Sequence, residues 1–204
     1  MTLSRSFALP AILLAVCCAL PCLAGEPATS RSLSFATYVE EVGRVTVIVG
    51  SQLTGNYAES PYAPLQIAVG AYGEGPALVV SPASFSLIDA GGAVYPMAPF
   101  PEVRDADIIL FVKQLDRKVP LVTGDSFLDR VRVSSIFYPQ TAAPAGKERV
   151  ELTHRTYFKD LIYFPRPKEG WGGVLTLQFM ARGLEEPLRV RFRVPGLGKS
   201  SKAD

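Results

Sequence analysis

Two short segments of the sequence place arginine at every second position, a spacing that could serve to bind anions. Arg189, Arg191 and Arg193 alternate with valine and phenylalanine, and Arg130 and Arg132 alternate with valine. Because side chains at every second position of a strand share one face, each set lies on one side of its strand. The planar guanidinium fork suits carboxylate and phosphate groups. If the two strands are neighbours, the five arginines form one basic face; the alternative is a solvated face neutralised by nearby Asp and Glu.

A second candidate for chemistry is the segment Gly124-Asp125-Ser126. It resembles the nucleophile block of the Gly-Asp-Ser lipases and esterases, in which the serine works with a histidine base and an orienting carboxylate. The only histidine of the chain is His154, so the resemblance implies an esterase centred on Ser126 and His154. The alternative, which we favour, is a polar turn whose Asp125 and Ser126 side chains bond to their own backbone.

The most aromatic stretch covers residues 156–167 and is followed by Trp171. Alternation places Tyr157 and Tyr163 on the same side of a predicted strand at residues 156–164. Together with Trp171, these side chains could form an aromatic surface that binds a peptide or a glycan. The alternative, which we favour, is the packing of a sandwich strand that carries tyrosines on its outer face.

The residue types argue against a metal or cofactor site. One histidine and no cysteine beyond the N-terminal segment cannot supply the nitrogen and sulfur ligands of a zinc site. Asp105 and Asp107 could contact a hard cation, but a pair of carboxylates more simply marks the start of a helix. We therefore expect no metal, no cofactor and no catalytic residue.

All three cysteines lie within an apolar N-terminal segment that is typical of an export signal. Arg5 precedes the apolar stretch, and residues 22–24 fit the pattern that a signal peptidase reads. We expect cleavage near Ala24 and a periplasmic or secreted mature chain without disulfides. A lipoprotein is the alternative, but valine precedes Cys17 and proline precedes Cys22, where a lipidation signal carries a small residue.

Length and charge limit the classes of partner. The 204 residues include 21 basic and 19 acidic side chains, which gives a formal net charge of +2. So balanced a charge gives no general attraction to nucleic acid, and no second apolar run is long enough to span a membrane. We predict a signal peptide at residues 1–24, a flexible tether at 25–34, one β-sandwich domain at 35–195 and a disordered tail at 196–204.

Most of the chain consists of short alternating segments separated by Gly, Pro and Asp, a pattern typical of an all-β sandwich. We predict about nine strands. Those that would position the arginines cover residues 129–138 and 187–194. One helical insertion is expected at about residues 102–118, where apolar side chains recur at helical spacing, with acidic residues early and basic residues late.

Residues 65–96 contain an alternating strand, a glycine-rich turn and the spaced residues Phe85, Leu87, Asp89, Gly92 and Tyr95. This stretch resembles the immunoglobulin-like, telokin-like domain of unknown function found in bacterial exported proteins. The resemblance implies an immunoglobulin-like β-sandwich and an exported location. It transfers no catalytic residue, because the shared positions are core and turn residues.

Together these features predict an exported, non-catalytic binding or accessory protein of the periplasm or cell envelope. Its partner would be an envelope protein or an acidic ligand. A Gly-Asp-Ser-type esterase and a carrier of a small hydrophobic or glycan ligand are the alternatives.

Overall fold

The computed structural model describes residues 29–57, 59–106, 116–133, 137–139, 148–168 and 170–196. Within these ranges the chain forms twelve strands in three sheets and two short α-helices. The predicted signal peptide and nearly all of the predicted tail lie outside the described residues.

The largest sheet has six strands, and its spatial order differs from the order along the chain. Its members, from one edge to the other, are β1 (Arg31–Ser34), β2 (Thr37–Val42), β3 (Val45–Gly50), β4 (Tyr62–Ala71), β10 (Thr156–Pro165) and β8 (Val131–Arg132). Neighbouring strands are antiparallel except β8, which runs parallel to β10. The β-branched side chains of β3 fit the pleated surface of a central strand.

A four-stranded antiparallel sheet faces the six-stranded sheet. Its spatial order is β12 (Leu188–Phe192), β11 (Leu175–Phe179), β6 (Phe85–Ile88) and β7 (Val94–Pro96). A separate pair consists of β5 (Leu78–Val80) and β9 (Val150–Leu152).

The main hydrophobic core lies between the two larger sheets. It contains Val47 and Ile67 from the six-stranded sheet and Leu177 and Phe192 from the four-stranded sheet, each of them fully buried. Aromatic rings of the two sheets contact each other across this core; the ring centroids of Tyr38 and Phe192, for example, are 6.4 Å apart. The predicted all-β sandwich is therefore confirmed, and the strands in the described ranges exceed the predicted nine.

A segment that we call the strap, residues 116–130, covers the outer face of the six-stranded sheet. Its Leu121 and Phe127 pack against Val39, Ile48 and Ala68 in a second, smaller cluster. The strap explains why β3 and β4 are buried along nearly their whole length. A sandwich strand with one solvated face would alternate between buried and exposed residues instead.

Two polar side chains on this outer face hold the strap in place. Gln66 donates from Nε2 to Asp116 Oδ1 and to the Val119 carbonyl, both at 2.6 Å. Lys159 donates from Nζ to the Leu121 carbonyl at 3.1 Å. Because Gln66 is buried, these bonds satisfy an amide that would otherwise be costly to remove from water.

The helices are short. Helix α1 (Gln52–Asn56) follows β3, and α2 (Phe100–Asp105) has a proline in its first turn, where the missing N–H costs nothing. Helix α2 lies at the beginning of the predicted insertion at residues 102–118. Residues 107–115 of that insertion lie outside the described residues.

Two boundary predictions are corrected. The tether predicted at residues 25–34 is wrong over Arg31–Ser34, which form β1 and pair with β2. None of the residues of β1 is buried, as expected of a polar strand at a sheet edge. Because an edge strand of this kind is polar, its composition resembles that of a linker. Of the described residues in the strand predicted at 129–138, only Val131–Arg132 are in a strand, and position 129 belongs to the turns at residues 124–129.

Side-chain hydrogen bonds lock the hairpin of β6 and β7. The buried Asp89 accepts from the Ala93 N–H at 2.8 Å and from the Tyr95 hydroxyl at 2.9 Å. The same hydroxyl accepts from the Lys168 N–H at 2.7 Å. Gly92, at φ 86°, supplies the left-handed turn residue. The spaced residues that carry the family resemblance thus serve a structural role in this hairpin.

Candidate functional site

The outer surface of the four-stranded sheet carries two exposed arginines on its edge strand. Arg189 and Arg191 project from β12, whose alternate residues are buried in the core. Their Cα atoms lie two residues apart along one strand, or about 7 Å. We call these two side chains and their neighbours on β11, Thr176 and Gln178, the arginine face.

Neutral residues surround these two guanidinium groups in the sheet. Arg191 lies opposite Thr176, and Arg189 lies opposite Gln178 and donates from Nε to its Oε1 at 3.2 Å. The next residues across the sheet are Ile88 and Ser86 of β6. Neither arginine forms an ion pair with any described residue. Both positive charges therefore lack a carboxylate partner within the described sheet.

Two serines hold the outer edge of β12. The Ser30 N–H donates to the Arg191 carbonyl and the Arg191 N–H donates to Ser30 Oγ, both at 2.8 Å. Ser51, which is fully buried, donates from Oγ to the Arg193 carbonyl at 2.6 Å. Arg193 is exposed and continues the alternation beyond the end of the strand. These bonds fix the backbone that carries the arginines.

The other two predicted arginines lie elsewhere, so the single face of five arginines does not form. Strand β8, which contains Arg132, is an edge of the six-stranded sheet beyond β10, whereas β12 belongs to the opposite sheet. One continuous face would require β8 and β12 to be neighbours, and they belong to different sheets.

Arg130 is part of a stack of rings where the strap meets the six-stranded sheet, and not of an open basic surface. Its guanidinium carbon lies 4.9 Å from the Tyr72 ring centroid and 5.1 Å from that of Phe127. Phe127 in turn stacks on Tyr157 with centroids 4.8 Å apart and planes within 2°. Burial lowers the pKa of Arg130 below its usual value. The side chain therefore acts as packing for the strap.

The predicted aromatic surface is wrong for two of its three residues. Tyr163 is 0% exposed and Trp171 is 4% exposed, and both belong to the main core. Tyr157 is half-buried under Phe127. The ring of Tyr138 meets the ring of Tyr163 edge-on, with centroids 4.8 Å apart. Residues 137–139 therefore help to cover Tyr163, which the alternation of the strand predicted to be exposed.

The two buried tyrosines predict a loss of stability at alkaline pH. Burial raises the pKa of Tyr138 and of Tyr163 far above 10. Above about pH 10 the unfolded chain loses phenolic protons that the folded chain keeps, so the free energy of unfolding falls as pH rises. The Tyr163 hydroxyl has no hydrogen-bond partner in the described part of the chain. Tyr163→Phe should therefore leave stability at neutral pH unchanged or higher.

Urea unfolding between about pH 8 and about pH 11 tests this expectation. At the alkaline end, the free energy of unfolding should fall with rising pH in both proteins. The slope should be smaller in Tyr163→Phe, and the difference between the two slopes should be about 1.4 kcal/mol per pH unit. Equal slopes in the two proteins would show that Tyr163 ionises as readily folded as unfolded.

Ser126 and His154 lie in separate exposed or half-exposed turns. The Ser126 N–H donates to the Thr123 carbonyl at 3.3 Å within the strap. His154 is exposed in the turn between β9 and β10. No hydrogen bond joins the two side chains, both of which belong to the described ranges. The arrangement thus provides no contact between the nucleophile and the base that an esterase requires.

Clusters of metal ligands and membrane-spanning helices are both absent from the described residues. Among them, no three or more His, Cys, Asp or Glu side chains gather where they could hold a metal ion. The helices within those ranges are too short and too polar to cross a membrane.

Comparison of the chain with protein-family models, with curated proteins and with solved structures finds no match. The function of this chain is therefore inferred from its own geometry. Sequence reasoning missed Ser51, whose bond to Arg193 spans 142 positions and leaves no local pattern in the sequence.

Proposed function

We propose that this chain is an exported, non-catalytic protein-binding module whose arginine face docks on an acidic surface of a partner protein. One observation carries the proposal: Arg189 and Arg191 are exposed, have no ion pair among the described residues and have neutral cross-strand neighbours. Two such guanidinium groups in a fixed spacing favour a partner with carboxylates at a similar separation.

Several features support this class of partner over others. Alternate residues of an extended acidic segment repeat at about the same spacing as Arg189 and Arg191. The nearly balanced net charge of the chain gives no broad basic field of the kind that nucleic-acid binding requires. The apolar N-terminal segment supports export, where an accessory protein of the envelope would meet its partner.

Charge reversal at Arg191 tests the proposal. The mature chain, Arg191→Glu and Arg155→Glu are immobilised as baits, and proteins retained from envelope extract are quantified. Arg155 is a matched control, because it is also exposed but lies in the turn before β10 of the other sheet. At least one protein should be retained by the wild type and Arg155→Glu, and about tenfold less by Arg191→Glu. Equal retention of every protein by all three baits would contradict the proposal.

A further inference from the structure

The turn between β1 and β2 displays an aromatic side chain on a strained backbone. Phe35 is 71% exposed. The next residue, Ala36, has φ 55°, a left-handed conformation that is unfavourable for a residue with a Cβ, and it is the one non-glycine residue with positive φ in the described ranges. Strain of this kind persists only where surrounding contacts impose it, and it often marks functional positions.

Ser51 provides those contacts and connects the turn to the arginine strand. Its N–H donates to the Ala36 carbonyl at 2.9 Å, while its hydroxyl donates to the Arg193 carbonyl at 2.6 Å. At the other end of β1, Ser30 pairs with Arg191. These bonds fix the backbone next to Phe35 and bring the turn beside the C-terminal end of β12.

We propose that Phe35 is the apolar anchor of the same interface and that the partner is a protein with an apolar pocket bordered by carboxylates. This inference rests on the proposed function. Aromatic and arginine side chains together dominate the binding energy of many interfaces. A turn whose backbone is fixed before binding loses less conformational entropy when it docks.

The charges of the arginine face determine which kind of partner would bind. An exposed phenylalanine alone would fit any apolar pocket, but Arg189 and Arg191 require acidic groups beside that pocket. A second copy of this chain fits less well, because a two-fold interface would bring the same two arginines in from each side.

Photo-crosslinking tests the anchor. Phe35 is replaced by benzoylphenylalanine in the full chain, in the cells that produce it, with and without Arg191→Glu. The same crosslinker at Leu128, which is 73% exposed on the strap, is the matched control. We expect position 35 to yield an adduct whose crosslinked segment contains Asp or Glu, and Arg191→Glu to reduce that adduct about tenfold. Position 128 should not yield it.

Phe35→Ala provides a second measurement that does not depend on the crosslinker. Its retention of the Arg191-dependent protein should fall about tenfold, while Leu128→Ala retains as much as the wild type. A protein that is lost with Arg191→Glu but equally retained by Phe35→Ala would overturn the anchor and leave the proposed function standing. An adduct to a second copy, or to a segment without acidic residues, would also overturn it. No Arg191-dependent protein at all would overturn both proposals.

Discussion

Gly70→Val is expected to lower the free energy of unfolding by about 3 kcal/mol, because it removes the space that the strap occupies. A Cβ at position 70 would lie 2.5 Å from Phe127 Cε1 and 2.6 Å from Arg130 Nη1. Valine would push Phe127 off the sheet and break its stacking on Tyr157. Urea unfolding monitored by circular dichroism measures the loss.

Gly172→Val is the matched control for this substitution. No neighbouring heavy atom lies within 4 Å of a Cβ built at Gly172, and its backbone is not left-handed. Its effect should stay within about 0.5 kcal/mol. Adding Phe127→Ala to Gly70→Val should cost less than the sum of the two single substitutions, because the clash is already gone. An equal, small effect at positions 70 and 172 would show that the strap does not pack on β4.

Asp89→Ala is expected to cost about 3 kcal/mol as well, for a different reason. The substitution removes the buried carboxylate that accepts from the Ala93 N–H and from the Tyr95 hydroxyl, and hydrogen bonds to a charged group contribute about 1.5 to 3 kcal/mol each. Tyr95→Phe should cost less, about 1 kcal/mol, because the carboxylate keeps its backbone bond. Thermal or urea unfolding of the three proteins gives the order of stability.

Asp129→Ala is the control for the loss of a carboxylate. Asp129 is exposed in a turn of the strap, so its removal should change stability by less than about 0.5 kcal/mol. If Asp89→Ala were as mild as Asp129→Ala, the hairpin of β6 and β7 would not depend on the bonds of Asp89.

Features set by local periodicity could be predicted from the sequence. The alternation of arginine with apolar residues in β12 follows from the two-residue period of a strand, and the glycine turn at Gly92 follows from the need for a left-handed residue. The kinship with an immunoglobulin-like exported family stays a prediction. What the structure adds is the physical role of Asp89 and Tyr95 in the hairpin.

Features set by long-range order could not be predicted in this way. Whether Arg132 and Arg191 share a face depends on the strand order, and no local pattern specifies that β8 pairs with β10. The burial of Tyr163 depends on Tyr138, and that of Ala68 depends on the strap, each distant in sequence. Alternation identifies the two faces of a strand, but it does not show which segment will cover the outer one.

The most direct test of the proposed function is the dissociation constant of a retained partner for three proteins: the wild type, Arg191→Glu and Arg155→Glu. Docking through the four-stranded sheet predicts an increase of about tenfold or more for Arg191→Glu and no change for Arg155→Glu. Equal dissociation constants for the two variants would show that the partner binds a different surface.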